Sequence, residues 1–374
     1  MSSDLDAVVV GAGAVGLSIA HAVGAVGRAV TVLERHSRAG TEVSQRSSEV
    51  IHAGLYYPPG SLKARLCRQG NSALYQFATD HQITVRRWGK LIVATGEADI
   101  ALLDVIARNA AACGAGDLVR LTHTQARELE PELECLAALF SPSTGVIDSH
   151  GLIAALEGCV SDTGGDIVFN TEVTGLSQNG DGSFTIDVTS AGSAVRITAR
   201  TLIIAAGLGA SHLGAMLAVR PDYRFPVTYY AKGHYFALRG SAPFRHLVYP
   251  IPTAGGLGIH LSLDVAGAAR FGPDIAWKDE VSYGFEDLNG ERLATFEHAV
   301  RRYWPGLPDG ALAPATTGIR PKITRAGEPA ADFAIHGPAQ HGVENLIALY
   351  GIDSPGLTSA LAIGDYVAKL LGAR

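Results

Sequence analysis

Cysteine is scarce: Cys67, Cys113, Cys135 and Cys159 are the four in 374 residues, and no two form a CxxC pair. That spacing excludes a zinc-finger pattern and a disulfide framework, so the thiols are expected to be reduced and structural, with no metal bound. Charge is sparse as well, at 18% of residues with a net −6. Such a balance argues against an extended nucleic-acid surface while leaving room for a local basic pocket inside an acidic molecule. The chain has no internal repeat, low-complexity tract or flexible linker. What it has is apolar residues, 47% of the total, the composition of a well-buried globular enzyme. At this length two interlocked domains are expected.

From Ala7 to Gly27 there is no Asp, Glu, Lys or Arg. Hydropathy alone would make this a signal peptide or membrane span. The residues before it are Asp4 and Asp6, the stretch is rich in glycine, and it leads into the apolar run Ala29–Leu33. A buried strand followed by a helix gives the same apolar run. The expectation is a cytoplasmic protein without a transmembrane segment, with peripheral contact at the inner face of a membrane left open.

Asp6–Val10 is a β-branched run suited to a strand buried on both faces. It enters Gly11-Ala-Gly13-Ala-Val-Gly16, then a helix-length segment to about Val26, then a second strand ending on Glu34. Gly11 permits the tight turn, Gly13 lets a pyrophosphate approach the backbone, and Gly16 lets the helix lie close on the strand. The helix start, from Ala14, favours the negative diphosphate. Glu34, followed by Arg35, is placed to accept hydrogen bonds from an adenosine ribose and would repel a 2′-phosphate. Strand, fingerprint, helix, strand and acid in this order predict an α/β, Rossmann-like dinucleotide unit. The fingerprint alone does not separate FAD from NAD. Gly207-Leu-Gly209-Ala-Ser-His212 lacks a third glycine, so one dinucleotide is expected.

Further motifs bear on that choice. Ser47-Ser-Glu-Val-Ile-His-Ala-Gly-Leu-Tyr-Tyr57, then Pro59-Gly-Ser-Leu-Lys-Ala64 and Leu66-Cys67, resemble the D-amino-acid oxidase superfamily, and within it the L-2-hydroxyglutarate dehydrogenase/oxidase family. The resemblance extends to Ser143–Asp148, to the strand Thr201–Gly207 and to the carboxyl-terminal Asn345–Ser359. It implies an FAD-dependent oxidoreductase; tight noncovalent binding of the flavin is expected, with His52 or a cysteine the candidates for a covalent link. By position it makes Ser44, Arg46, Ser47, Ser48 and His52 flavin-side contacts, with Val173 at the adenine and Ala206 and Gly207 at a close backbone approach. At the far end it implies Ser354, Gly356, Leu357, Thr358 and Ser359, at the start of a final helix whose amides would face the pyrimidine end of the ring. The FAD domain would be discontinuous, 1–80, 145–215 and 315–374, interleaved with a substrate domain of 81–144 and 216–314 around a mixed or antiparallel sheet.

Oxidising a 2-hydroxy acid needs a hydride acceptor, here flavin N5, a base for the hydroxyl proton, and groups that hold the substrate carboxylate. Histidine suits the base and arginine the anchor. Among thirteen histidines, His52 and His260 stand out: one beside the proposed flavin loop, the other in Leu257–Leu263, read as a strand with His260 near its middle. Arg320, in Thr317-Gly-Ile-Arg-Pro-Lys322, resembles the superfamily's Gly-apolar-Arg-Pro segment and is expected to hold the carboxylate or the flavin. Lys232, Tyr249 and Arg270 are further pocket candidates. Asp353 departs from the family pattern and would repel a dicarboxylate unless turned away or paired. The expected reaction is oxidation of L-2-hydroxyglutarate to 2-oxoglutarate, with oxygen, a quinone or a carrier flavoprotein as final acceptor. An amine or amino-acid oxidase on the same scaffold, or a non-catalytic FAD-binding protein, is the alternative.

Overall fold

The computed structural model describes residues 4–251 and 258–372. Its opening strand, Leu5–Val10, alternates faces: Ala7 and Val9 enter one apolar cluster, Val8 and Val10 another. Both faces are covered, which is why the run needs no polar residue. The strand pairs in parallel with Val30–Leu33 on one side and with Ser193–Ile204 on the other. The latter also pairs in parallel with Leu346–Tyr350, and Val30–Leu33 with Asp166–Val168. An antiparallel pair, Thr171–Gln178 and Phe184–Ser190, is attached to the outer half of Ser193–Ile204.

Three helices cover one face of this sheet through a shared cluster: Ala14–Ala25, Ser149–Asp162 and Gly356–Leu370. The first and last pack through Gly364, where a Cβ would stand 2.4 Å from the Ser18 carbonyl oxygen. The apolar run Ala7–Gly27 is thus a strand and a twelve-residue helix. Among the described residues, no helix is long and apolar enough to cross a membrane.

A second, nine-stranded sheet is mostly antiparallel. Its longest pairing joins Tyr229–Leu238 to Leu312–Lys322, with the register shifting at Ala315, which is left without a partner in the ladder. Lys90–Ala94 pairs in parallel with Leu247–Pro250 and antiparallel with Ala137–Ser141. A small third sheet links Val50–Ile51, Gly145–Ile147 and Val85–Arg86. The molecule is α/β, with a Rossmann-like parallel core beside a mixed sheet.

One element differs from its sequence reading. The strand expected over Leu257–Leu263 covers Leu261–Leu263 only, and Leu257 lies outside the described residues. Gly258 has a φ of +76°, which takes the backbone out of the pleat. His260 therefore precedes the strand and does not lie within it.

Candidate active site

The glycine turn is built as its spacing requires. Gly11 has a φ of +106°, and a Cβ there would lie 2.7 Å from the Ala205 carbonyl oxygen. Gly13 caps the helix Ala14–Ala25, with the Ser44 hydroxyl 3.2 Å from where its Cβ would be. That hydroxyl accepts the Ala14 amide at 3.0 Å. At Gly16 a Cβ would meet the Gly11 carbonyl oxygen at 1.9 Å; this glycine serves helix–turn packing and does not line the cavity. Glu34 sits at the end of the second strand and takes the Ala12 and His36 amides at 2.9 Å on its two oxygens. Arg35 pairs with Glu42.

From this turn a cavity of about 760 Å³ runs across the molecule. It passes Ser44, Arg46, Ser47 and Ser48, touches Val173, Ala206 and Gly207, and reaches His52, Ser354, Gly356 and Leu357. The two ends of the chain that carry the dinucleotide motifs thus border one continuous space. Cβ-free glycines at one end and a helix start at the other give it a shape and polarity suited to an extended dinucleotide such as FAD. Thr358 and Ser359 are buried behind it. Thr358 instead fixes the loop, its hydroxyl accepting the His52 amide at 3.0 Å and donating to the Val50 carbonyl at 3.2 Å.

The end of the cavity between the two sheets carries the chemistry-bearing side chains. His52, Tyr56, Tyr57, Tyr235, Tyr249, His260 and Arg320 all line it. Tyr249 and His260 stack with ring centroids 3.6 Å apart and 9° between planes. His52 Nε2 lies 3.2 Å from the Ser354 hydroxyl. Its carbonyl accepts the Asn71 side-chain amide at 3.0 Å. Burial, then the charges of Lys90, His260 and Arg320, push His52 down to about 3, so its ring is neutral at ordinary pH. Burial raises Tyr56, Tyr57, Tyr235 and Tyr249 above the usual phenol range.

Asp353 is paired. Lys63 Nζ lies 2.8 Å and Lys322 Nζ 2.6 Å from its two oxygens. Although burial opposes ionisation, the two ammonium groups hold the carboxyl below its ordinary value. The departure from the family pattern thus leaves the cluster with a net positive charge facing the cavity, which Lys63, Lys322 and Asp353 all line.

Two expected pocket residues are elsewhere. Lys232 lies on Tyr229–Leu238, where side chains alternate. Gly233 and Tyr235 face the cavity, so Lys232 points to the opposite side, where it donates to the Gly284 carbonyl and pairs with Glu286 at 3.2 Å. Arg270 does not line the cavity either, because its guanidinium is taken by Glu49 at 2.9 Å. Conversely, Lys90, Tyr56 and Tyr235 were not singled out by sequence reasoning. The signal for Lys90 was available: it is the one charged residue in the strand Lys90–Ala94.

Comparison with known proteins agrees with this geometry. The FAD-dependent oxidoreductase (DAO) family matches residues 6–370. A mitochondrial L-2-hydroxyglutarate dehydrogenase of Arabidopsis thaliana is 37% identical, with 98% of this chain and 83% of that protein covered. An L-2-hydroxyglutarate dehydrogenase of Salmonella houtenae is 30% identical over 97% of this chain and 92% of its own length. In fold, the chain superposes on the FAD-bound, dithionite-reduced L-α-glycerophosphate oxidase of Mycoplasma pneumoniae with a TM-score of 0.84, at 24% identity over 98% of this chain and 94% of that one. A parallel-core sheet with a glycine turn, one cavity reaching the final helix and a full-length family match lead to one conclusion: the chain belongs to the FAD-dependent oxidoreductase family, uses FAD, and is an enzyme of the family that contains the L-2-hydroxyglutarate dehydrogenases.

Proposed function

We propose that this protein oxidises L-2-hydroxyglutarate to 2-oxoglutarate. The observation that carries the reading is the single cavity joining the glycine turn to a wall that holds His52, His260 and Arg320. The relatives named for this substrate, at 37% and 30% identity, supply its identity. The DAO-family segments 1–80, 145–215 and 315–374 would form the FAD-binding unit and the rest the substrate unit. FAD, when bound, supplies the two-electron acceptor for the substrate Cα hydrogen. Glu34 and Val173 would hold the adenine half, Gly11 and Gly13 the diphosphate, and His52 and Gly356 the flavin end, all of them lining the one cavity.

Arg320 anchors the carboxylate next to the hydroxyl-bearing carbon. Its strand fixes its direction: Arg320 stands opposite Ala231 in the register with Tyr229–Leu238, and its planar fork suits a carboxylate. The hydroxyl proton goes to a histidine. His52, held to about 3, is a weak acceptor at neutral pH, since the best general base has a pKa near the working pH. His260, stacked on Tyr249 and lining the same wall, is therefore assigned as base. His52, hydrogen-bonded to Ser354 and tied through its amide to Thr358, aligns flavin and substrate. Tyr249 keeps the His260 ring in one plane. The unpaired thiols favour a reducing, cytoplasmic setting.

The test is an absorbance spectrum of the purified protein followed by anaerobic titration. Yellow, FAD-bearing protein that bleaches stoichiometrically with L-2-hydroxyglutarate is the expected result. Bleaching by a 2-amino acid in its place would make the protein an amino-acid oxidase, and no bleaching by either class would overturn the catalytic reading.

A further inference from the structure

Lys90 is the first residue of the strand Lys90–Ala94, fully buried. Among the described residues its Nζ has no hydrogen-bond partner, and no carboxylate pairs with it. It lies instead over two aromatic faces, 4.9 Å from the Tyr56 centroid and 4.8 Å from that of Tyr249. Both rings line the cavity. An ammonium placed so is costly to keep charged, and the two π faces return only part of the hydration it has lost.

The other cations of the cavity have partners. Lys63 and Lys322 share Asp353, Arg35 has Glu42, and Arg46 lies 4.0 Å over the Tyr283 ring. Arg46, like Lys90, has a ring and no carboxylate, but its ring is Tyr283; the cations that bear on Tyr249 without a carboxylate among the described residues are Arg320 and Lys90. A substrate with two carboxylates matches that count.

We propose that Lys90 determines specificity for a dicarboxylate: from behind Tyr56 and Tyr249 its positive charge favours a second carboxylate on the cavity side of Tyr56, since the His260 ring already covers a face of Tyr249. A cation on one face of an aromatic ring draws its π charge toward itself and makes the opposite face more receptive to an anion. Across a low-dielectric wall, a charge several ångströms away still shifts affinity by roughly tenfold or more. Lys90 thus acts as a positioning residue, with Arg320 holding the carboxylate beside the reacting carbon. The inference rests on the substrate reading above.

It also fixes a pH dependence. Burial holds Lys90 down to about 7, so its charge fades as pH rises through neutrality, and dicarboxylate affinity falls with it. The groups facing it do not share that titration window: His52 is held to about 3, burial raises the Cys67 thiol to about 12, and Tyr56 and Tyr249 are raised further. Arg320 borders the same wall. His260, stacked on Tyr249, is the remaining group, and a charge-retaining variant separates it from Lys90.

The experiment measures binding of glutarate and butyrate to the FAD-loaded enzyme by perturbation of the flavin spectrum, from about pH 6 to about pH 9, in wild type, K90M and K90R. K90M is expected to bind glutarate roughly tenfold or more weakly below pH 7, with butyrate changed less than about twofold, and to lose the decline in affinity above pH 7. K90R should keep the glutarate preference across the whole range. Equal loss for both ligands in K90M, or no loss for either, would overturn the proposal, as would a glutarate slope that persists unchanged in K90R. Failure of the substrate reading looks different: wild-type flavin would stay oxidised with L-2-hydroxyglutarate while glutarate binding still depended on Lys90.

Discussion

Replacing Asp353 by Asn tests how the flavin end of the cavity is held together. The carboxylate is 5% exposed and lies between Lys63 and Lys322. Asparagine keeps the shape and removes the charge, leaving two ammonium groups side by side without a counter-ion. Breaking a buried pair in this way costs about 3–5 kcal/mol. With an unfolding entropy of ~2.1 cal/mol/K per residue, a 374-residue chain should lose about 4–6 °C of melting temperature. The assay is a thermal melt at fixed excess FAD, because unequal ligand saturation would itself shift the midpoint. The pH dependence carries a sign. The folded carboxyl is held below its ordinary value, so its contribution is present above the unfolded pKa and disappears as pH falls through the folded one. The gap between wild type and D353N should therefore be constant from about pH 5 to about pH 8 and close below about pH 4. K63M/D353N should recover part of the loss, since it removes the buried ammonium and leaves only the half-buried Lys322. Equal melting at neutral pH, or a gap that persists in acid, would refute the paired-charge account.

Gly16→Ala should give a protein that purifies with little or no flavin, because its Cβ would stand 1.9 Å from the Gly11 carbonyl oxygen and displace the turn; a normal flavin-to-protein absorbance ratio would contradict this. His260→Ala should lower kcat by roughly 10²–10⁴-fold with FAD retained, and His52→Ala should disturb flavin spectrum and substrate alignment together. Normal turnover in both variants would remove histidine from the mechanism. Arg320→Ala should raise KM by about 10–150-fold, the worth of a charge-assisted hydrogen bond at about 1.5–3 kcal/mol, with a smaller change in FAD affinity, and steady-state kinetics report it directly.

The dinucleotide unit was legible because its signals are local. A strand buried on both faces, a turn that excludes Cβ atoms and an acid at the next strand end all lie within the first 34 residues, and the structure realises each of them. The substrate end was less legible because its logic is one of faces and distant partners. Lys232 was expected in the pocket on the strength of its segment, yet a strand's two-residue period puts it opposite Gly233 and Tyr235, and nothing in the segment says which face is inward. Arg270 was drawn off by Glu49, 221 residues away in sequence. His260 kept its place on the wall although its strand begins one residue later, at Leu261.

The charged groups in and around the cavity wall follow one physical rule, and it decides which of them are free to act on a substrate. A buried charge is kept when something compensates it. Asp353 has two lysines, Lys232 has Glu286 and a carbonyl, and Arg270 has Glu49; each is satisfied by the protein itself. Arg320 and Lys90 have no such carboxylate among the described residues, and both stand around the same tyrosine–histidine wall. Compensation left incomplete at that wall, and completed around it, makes the wall the place where an anionic ligand gains most from binding. The sequence motif located Arg320 there, whereas the lone charge of the strand Lys90–Ala94 acquires its meaning only from the two rings that it lies over.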